Sequence, residues 1–220
     1  MRNTTVSLLT AIIFCSFTLS AQVPVREEPR HKNVLENKYI RILDVWLQPG
    51  DTSLFHIHST PSVFLVFTTT NTISQIKGAG WEKGQNVAGY SWYRSFFQDT
   101  LVHRVGNIDT VPFHVTDVEL LSAYKPSANL LPLPFEVLYQ NEKVFAYKLT
   151  NSSFNNQTIS KRGPMIAELV AGNEITFHDA LNKESTKIKT GKYLYIKPGS
   201  SFYFSANGKE EINLVLFEIK

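Results

Sequence analysis

Short runs of β-branched and aromatic residues alternate along this chain with polar segments that carry turn residues. The first clear run, from Tyr39 to Leu47, ends at Gln48-Pro49-Gly50-Asp51. Turn signals also stand at Gly78-Ala79-Gly80 and at 106–109, and no long stretch has the period of an amphipathic helix. The pattern predicts an all-β chain built as an antiparallel sandwich or barrel. Further strands are predicted near 53–58, 62–68, 72–77, 89–98, 101–106 and 113–121.

A proline-rich segment divides the chain into two parts. The stretch from Lys125 to Pro134 contains three prolines, which disfavour a central strand and indicate a connector. We therefore predict an N-terminal domain over 22–124, a connector over 125–136 and a C-terminal domain over 137–220.

The two predicted domains share a weak internal repeat. Residues 118–120, Val-Glu-Leu, match 217–219, Phe-Glu-Ile, and Asn107 aligns with Asn207. The offset is about 100 residues, near the lower end of ordinary domain size. This repeat predicts two similar barrels in tandem.

Residues 1–21 have the composition of a signal peptide. Arg2 precedes an apolar run from Val6 to Leu19, and Ser20-Ala21 supplies the small residues that cleavage requires. We predict a cut between Ala21 and Gln22 and a mature protein that is periplasmic or secreted. A lipoprotein signal ending at Cys15 is the alternative, but Phe14 is bulky where such signals carry a small residue.

Composition and charge exclude several partner classes. The chain is 43% hydrophobic, 12% aromatic and has a formal charge of +3, which falls to +2 without Arg2. Such a balance implies neither a nucleic-acid partner nor a membrane surface after signal removal. Cys15 is the only cysteine, so the mature chain has no disulfide, thiol nucleophile or thiolate ligand.

The spacing His56-Ile57-His58 indicates a metal site. On an extended strand, residues i and i+2 point the same way about 7 Å apart, so two imidazoles can converge on one ion. His103 supplies a third if its strand lies beside the first. A single buried histidine is more often a hydrogen-bonded core residue, and a degenerate, metal-free site is the alternative for this cluster.

These residues carry a resemblance to the cupin superfamily. The stretch Pro49-Gly50-x5-His56-x-His58 resembles the first cupin motif, and His103-x3-Asn107 resembles the end of the second. The resemblance implies two tandem jelly-roll barrels. It also implies that His56, His58 and His103 bind one divalent metal ion in the N-terminal barrel, with Fe, Mn, Zn, Ni and Cu not distinguished.

The sequence departs from both motifs. Ser62 and Val63 stand where the first motif has a glutamate, and Gln98 and Thr100 replace a proline and a glycine of the second. Without an anionic ligand, the site resembles that of the three-histidine cupin dioxygenases, with open coordination positions.

The second copy lacks the ligand set. In the repeat alignment, Ile159, Lys161 and Tyr203 take the places of His56, His58 and His103. We expect a degenerate barrel filled by side chains, Tyr203 among them.

The remaining histidines are weaker candidates. His114 lies in the run 113–121, where either alternating row could face inward, so its contact with the site is left open. His31 and His178 fall in polar segments and are predicted to be solvated loop residues.

Aromatic and acidic residues near the motifs have two interpretations. Asp117 and Glu119 share a face, which we expect to be an outward, solvated row rather than an acid–base pair. A second group could line a ligand-binding mouth, although core packing is the favoured interpretation. It comprises Tyr90, Trp92, Tyr93 and Arg94.

Two functional classes remain, a binding protein and an enzyme. The favoured function is that of an extracytoplasmic two-barrel protein that binds one divalent metal and a small organic ligand. The alternatives are an iron-dependent dioxygenase acting on a chelating small molecule, and a metal-free structural or ligand-binding cupin. A homodimer is left open. No G-x-S-x-G, H-E-x-x-H or phosphate-binding G-x-x-x-x-G-K motif occurs in the sequence.

Overall fold

The computed structural model describes residues 22–125, 130–154, 157–206 and 210–220. The predicted signal peptide, Asn207 and residues 126–129 of the predicted connector lie outside this part. The described chain is all-β apart from two short 3-10 helices, and it holds no helix long and apolar enough to cross a bilayer. The 3-10 helices are Val25–Glu27 and Asn151–Ser153. The strands are β1 Val23–Pro24, β2 His31–Glu36, β3 Ile40–Leu47, β4 His56–His58, β5 Ser62–Val66, β6 Thr70–Ile76, β7 Trp81–Asn86, β8 Ser91–Arg94, β9 Leu101–Asn107, β10 Phe113–Leu120, β11 Glu136–Gln140, β12 Val144–Leu149, β13 Met165–Ala171, β14 Glu174–Asp179, β15 Glu184–Lys189, β16 Lys192–Ile196, β17 Phe202–Ala206 and β18 Asn213–Ile219.

Four sheets arise from these strands, two from each half of the chain. The outer N-terminal sheet has the order β1-β4-β9-β6-β7 and the inner N-terminal sheet β2-β3-β10-β5-β8. The inner C-terminal sheet has the order β11-β12-β18-β13-β16 and the outer C-terminal sheet β15-β14-β17. Neighbouring strands are antiparallel except for the short parallel pair β1–β4. Strands that are distant in sequence lie side by side, which is the topology of a jelly roll.

Each half closes around its own core. In the N-terminal barrel, Leu43, Val45 and Val115 of the inner sheet face Leu101 and Val105 of the outer sheet. The C-terminal core is larger and almost wholly aliphatic and aromatic, and it spans both C-terminal sheets. Burial of a Leu, Ile or Phe side chain contributes roughly 1.5–3 kcal/mol, so these clusters dominate the stability of each barrel.

The two inner sheets also pack against each other. Ile42, Val63 and Val118 of the N-terminal half contact Ile166 and Phe217 of the C-terminal half in one continuous buried cluster. Both faces of the inner sheets are therefore covered, and every residue of β10 is buried. This is why the run 113–121 shows no single inward row in the sequence.

Most of the strands predicted in the N-terminal half are found within a few residues of their predicted bounds. Three were missed: the two-residue β1, β2, and β7 at the edge of its sheet, where the residues from Trp81 to Gln85 are exposed. An exposed edge strand has no buried face, so its sequence lacks the alternation that identifies a strand. The turn predicted at 106–109 begins later, since β9 continues to Asn107.

Candidate metal centre

The pairing of β4 with β9 brings the three predicted histidines side by side. His56 stands directly opposite His103 in the antiparallel register, and strand alternation places His56 and His58 on the same inner face. The Nε2 atoms of His58 and His103 are 3.1 Å apart, and the rings of His56 and His103 have centroids 4.6 Å apart. Two nitrogens bound to one ion at about 2.1 Å each lie about 3 Å apart, so this spacing suits shared coordination.

His31 is a fourth member of this cluster, and its prediction as a solvated loop residue was wrong. It is the first residue of β2, opposite Val45, and only 8% of it is exposed. One potential ligand atom from each of His31, His56 and His58 lies within 4.8 Å of the others. The sequence around it could not reveal this position, because β2 is otherwise largely exposed and only its first side chain enters the barrel.

Hydrogen bonds at Nδ1 fix the orientation of two rings. His56 Nδ1 donates to the Leu54 carbonyl oxygen at 2.9 Å, and His31 Nδ1 donates to Glu28 Oε2 at 2.8 Å. An imidazole that donates through Nδ1 keeps its lone pair on Nε2, which is then free to bind a metal. A carboxylate behind a metal-binding histidine is a common arrangement that raises the basicity of the ligand.

The barrel keeps the imidazoles of His56 and His103 neutral. Burial, with the neighbouring His31 and His58, lowers the pKa of His56 to about 3. Burial, with His56 and His58, lowers the pKa of His103 to about 2. A neutral imidazole is the form that binds transition metals, so protons do not compete with a metal at physiological pH.

Glu28 is ionised in spite of its burial. Burial alone would raise its pKa, but hydrogen bonds from His31 and the Leu54 backbone N–H lower the pKa to about 2. The carboxylate is 1% exposed and belongs to the segment just before β2. A negative charge therefore lies directly behind one member of the histidine cluster.

A cavity of about 390 Å³ opens onto the histidines. The stacked pair Phe64 and Trp92, with ring centroids 4.7 Å apart, forms one wall. Glu82, Lys83 and Asn86 of the edge strand β7 stand at the polar side. The rest of the apolar lining comes from Val45, Leu47, Val105, Phe113 and Val115. Its size and its mostly apolar walls are those of a small-molecule site.

The aromatic residues on and beside β8 divide between two surfaces, as alternation requires. Trp92 lines the cavity, whereas Tyr93 packs into the cluster between the two inner sheets. Tyr90 is 60% exposed and stacks on Trp92. Arg94 lies over the ring of Phe96, with 5.0 Å from its guanidinium carbon to the ring centroid. Only Trp92 of the four candidates lines the cavity.

Phe96, which the sequence analysis did not single out, covers one face of the site. Its ring stacks on His58 at 5.1 Å, and it is 3% exposed. Its φ of 55° lies in the left-handed region, which is unfavourable for an aromatic residue. Strain of this kind persists where the surroundings over-determine a conformation, and here the ring is held between Phe64 and His58.

His114 does not contact the cluster. Its side chain points toward the inter-barrel side, where it stacks between Trp46 and Phe67, and its Nε2 lies 2.7 Å from Asp44 Oδ1. The question left open by the sequence is settled by the register of β10, which directs Phe113, Val115 and Asp117 into the cavity wall instead.

The prediction of a solvated acidic row on β10 was wrong. Asp117 is 1% exposed and Glu119 is 3% exposed, because the inner sheet has no solvent face. Glu119 forms a buried ion pair with Arg41. Asp117 lies beside the histidine cluster, with its Oδ2 3.3 Å from His58 Nδ1. Both carboxylates were therefore missed as interior groups.

Among the residues that the structure describes, the second barrel has no counterpart of this centre. Ile159 bridges to Phe202 as His56 pairs with His103, and both apolar side chains are buried in the C-terminal core. Lys161 is exposed. Tyr203 does not fill the barrel as predicted: it stacks on His178 of β14, which is itself a strand residue and not a loop residue. The correct counterpart of His103 is one residue earlier, since alternation sends Phe202 inward and Tyr203 outward.

Comparisons with known proteins give the fold. No family model and no curated protein sequence matches the chain. The structure of AerE from Microcystis aeruginosa is similar to that of this chain, with a TM-score of 0.57 at 12% identity. The similarity covers 88% of this chain and 98% of the other. YlbA from E. coli gives a TM-score of 0.60 at 10% identity, covering 87% and 85%.

Two further solved structures carry more informative descriptions. A cupin 2 conserved barrel domain protein from Leptotrichia buccalis gives a TM-score of 0.53 at 11% identity, covering 84% of this chain and 86% of the other. A salicylate 1,2-dioxygenase from Pseudaminobacter salicylatoxidans gives 0.55 at 11% identity, covering 82% and 71%. These likenesses, with the sheet topology, show that the chain has the cupin fold.

Proposed function

We propose that this protein of cupin fold binds one divalent metal ion in its N-terminal barrel and holds a small organic ligand in the cavity beside it. The observation that carries the proposal is the grouping of His31, His56 and His58 beside a mostly apolar cavity, with His103 against His58. His31 and His56 are also anchored through Nδ1. His56, His58 and His103 would hold the ion, and His31 would join them from β2.

The donor set fits a transition metal. Neutral imidazole suits Fe, Mn, Zn, Ni and Cu, and the four rings do not discriminate among them. A cation would also compensate a buried carboxylate, because Asp117 lies behind His58 with no lysine or arginine paired to it among the described residues. Glu28, by contrast, has Arg30 at 3.5 Å. A buried negative charge without a compensating positive charge is costly.

Metal analysis tests the proposal directly. Purified protein loaded with a single metal should contain close to one ion per chain. His56→Ala should lose most of that metal, whereas His178→Ala, which alters a histidine of the outer C-terminal sheet, should retain it. Two ions per chain, or equal metal content in both variants, would show that the ligand assignment is wrong.

We propose, as a second candidate, an iron-dependent dioxygenase that acts on a chelating small molecule. A mostly apolar cavity that opens onto the imidazoles supports it, as does the fold shared with a salicylate 1,2-dioxygenase, an analogy at the level of fold. Ferrous iron would supply the redox chemistry with dioxygen. The chain itself would exclude water through Phe64, Trp92 and Phe96 and orient the ligand against the imidazoles.

An oxygen electrode separates the two candidates. Iron-loaded protein should consume oxygen with at least one diketone, catechol or thiol that can chelate a metal, and His58→Ala should not. Tight binding of such a compound without oxygen uptake above the His58→Ala control would support the binding protein instead of the enzyme.

The setting we propose is extracytoplasmic, either periplasmic or secreted. It rests on the apolar run of residues 6–19 and the small residues before Gln22. N-terminal sequencing of exported protein should begin at Gln22. A lipid-modified start at Cys15 would overturn this proposal.

A small molecule is the partner that the cavity fits. Sedimentation velocity would establish whether the protein forms a homodimer.

A further inference from the structure

Two buried polar groups face each other behind the metal cluster. His58 Nδ1 and Asp117 Oδ2 are 3.3 Å apart, and their side chains are 4% and 1% exposed. Neither Nδ1 nor either carboxylate oxygen forms a hydrogen bond within the described residues. An unsatisfied buried polar group costs about 1–3 kcal/mol, and more when it is charged, so these groups need a reason to be there.

The Nδ1 acceptors of the other two anchored histidines indicate the role of Asp117 beside His58. His31 Nδ1 has the Glu28 carboxylate and His56 Nδ1 has the Leu54 carbonyl, at 2.8 and 2.9 Å. His58 is the third ring of the group, and Asp117 stands where its Nδ1 acceptor would be. The 3.3 Å approach is only slightly longer than an N–H···O hydrogen bond, which spans about 2.7–3.2 Å.

The position of Asp117 excludes two other roles. It is not placed as a metal ligand, because it lies on the Nδ1 side of His58 whereas His103 lies on the Nε2 side of the same ring. It is not placed to accept a proton from a bound ligand either, since neither carboxylate oxygen has appreciable exposed surface. The contact through which Asp117 reaches the histidine cluster is therefore the one with His58.

We infer that Asp117 is a positioning residue that accepts the Nδ1–H of His58 and directs the Nε2 lone pair toward the other histidines. The inference rests on the proposed metal-binding function. With Glu28 behind His31, Asp117 gives the centre two carboxylates one step removed from the ion. They supply the negative charge that the glutamate absent at Ser62 and Val63 would have supplied as a direct ligand.

The second barrel supports this assignment independently. Leu216 occupies the position of Asp117 in the repeat that matches 118–120 with 217–219, and it is fully buried in the C-terminal core. The counterparts of His56 and His103 are apolar, Ile159 and Phe202. The counterpart of His58 is Lys161, which is exposed. The barrel that lacks the histidines thus also lacks the carboxylate, as expected if Asp117 serves a histidine and not the fold.

Leucine and asparagine substitutions test the inference. Asp117→Leu copies the residue of the second barrel, and Asp117→Asn keeps an oxygen acceptor but removes the charge. We expect Asp117→Leu to weaken cobalt(II) affinity by about 10–100-fold, the usual loss for an outer-shell partner of a ligand, and Asp117→Asn to weaken it less. Affinity is measured by competition with a chromophoric chelator, and the cobalt absorption spectrum reports the altered ligand geometry.

Melting temperatures and the cobalt affinity of the wild type distinguish a failure of this inference from a failure of the proposed metal binding. The metal-free melting temperature of Asp117→Leu should equal or exceed that of wild type, which a merely structural role for Asp117 would not allow. If wild type binds no cobalt, the proposed function itself fails. If wild type binds and Asp117→Leu binds within twofold of it, Asp117 has no positioning role and the metal site stands. Should Asp117→Leu not fold, wild-type affinity and spectrum in Asp117→Asn would overturn the inference.

Discussion

The two barrels differ most at the positions where their strands face inward. The N-terminal barrel places His31, His56 and His58 beside a cavity of about 390 Å³. The C-terminal barrel places Ile159 and Phe202 at the positions of His56 and His103 and fills its interior with an apolar cluster. One backbone plan therefore accommodates either a polar centre or a packed core, and the inward side chains alone decide which.

The apolar core of the C-terminal barrel also indicates a structural role for that barrel. Its inner sheet covers the inner sheet of the N-terminal barrel through Ile166, Val215 and Phe217. The N-terminal barrel gives up core packing to form a cavity, so a rigid apolar support on its other face compensates for that loss. We interpret the C-terminal barrel as the support that holds β3, β5 and β10 in register behind the metal centre.

Removing this support should have the largest effect. Phe217 is fully buried in the cluster between the barrels, and Phe217→Ala should lower the free energy of unfolding by about 3–5 kcal/mol through lost burial and the cavity left behind. Urea unfolding measures it. Leu181→Ala, at a residue 69% exposed, is the control and should change stability by less than about 0.5 kcal/mol. Equal effects of the two substitutions would mean that the barrels do not support each other.

Converting the first barrel toward the second tests the comparison at the site itself. The double substitution His56→Ile with His103→Phe copies the pair Ile159 and Phe202. Metal affinity should fall by more than about 100-fold, while the metal-free protein should be as stable as wild type or up to about 2 kcal/mol more stable, because apolar groups replace buried polar ones. Calorimetric titration and urea unfolding give the two numbers. Retained metal binding would contradict the role of these histidines.

The pH dependence of stability should differ between a carboxyl group at the surface between the barrels, Glu168, and one beside the histidine cluster, Glu28. Burial raises the pKa of Glu168 to about 8, although Thr116 Oγ1 donates to it, whereas an unperturbed glutamate has 4.5. The folded protein then holds a proton that the unfolded chain releases. The contribution is fully present below pH 4.5 and is lost as the pH rises to about 8, by up to about 1.4 kcal/mol per pH unit. Glu168→Gln should remove this slope from unfolding curves collected between pH 5 and 8.

Glu28 in the N-terminal barrel should show the opposite dependence. Burial raises its pKa, but the hydrogen bonds from His31 and from the backbone N–H groups of Leu54 and Arg30 together lower the pKa to about 2 in the folded protein. The stability that it contributes is present above pH 4.5 and is lost as the pH falls toward 2. Glu28→Gln should therefore flatten the acid limb of the stability profile and leave the limb above pH 5 unchanged. A change in the upper limb alone would reverse this assignment.

Local patterns predicted what depends on neighbours in sequence. The run Tyr39–Leu47, bounded by a turn, is found as β3, and the spacing of His56 and His58 correctly places both on one face. The errors concern long-range packing. His31 enters the site from an exposed edge strand, and Asp117 is buried because a second barrel covers its sheet. No periodicity in a single strand carries either fact.

The smallest effect that we predict tests the one-residue shift in the second barrel. Tyr203 lies outside the C-terminal core and stacks on His178 with ring centroids 4.5 Å apart, so Tyr203→Ala loses one partly exposed stacking contact. Its cost should be about 1 kcal/mol, within the range of single aromatic contacts. Phe202→Ala, one residue earlier, removes a side chain that is 1% exposed and should cost about 3–5 kcal/mol. Paired urea unfolding of the two variants decides between the alignments, because a barrel filled by Tyr203 would reverse their order. Neither variant should change the metal content, since the strand that they alter belongs to the outer C-terminal sheet, two sheets away from the inner N-terminal sheet that carries His31.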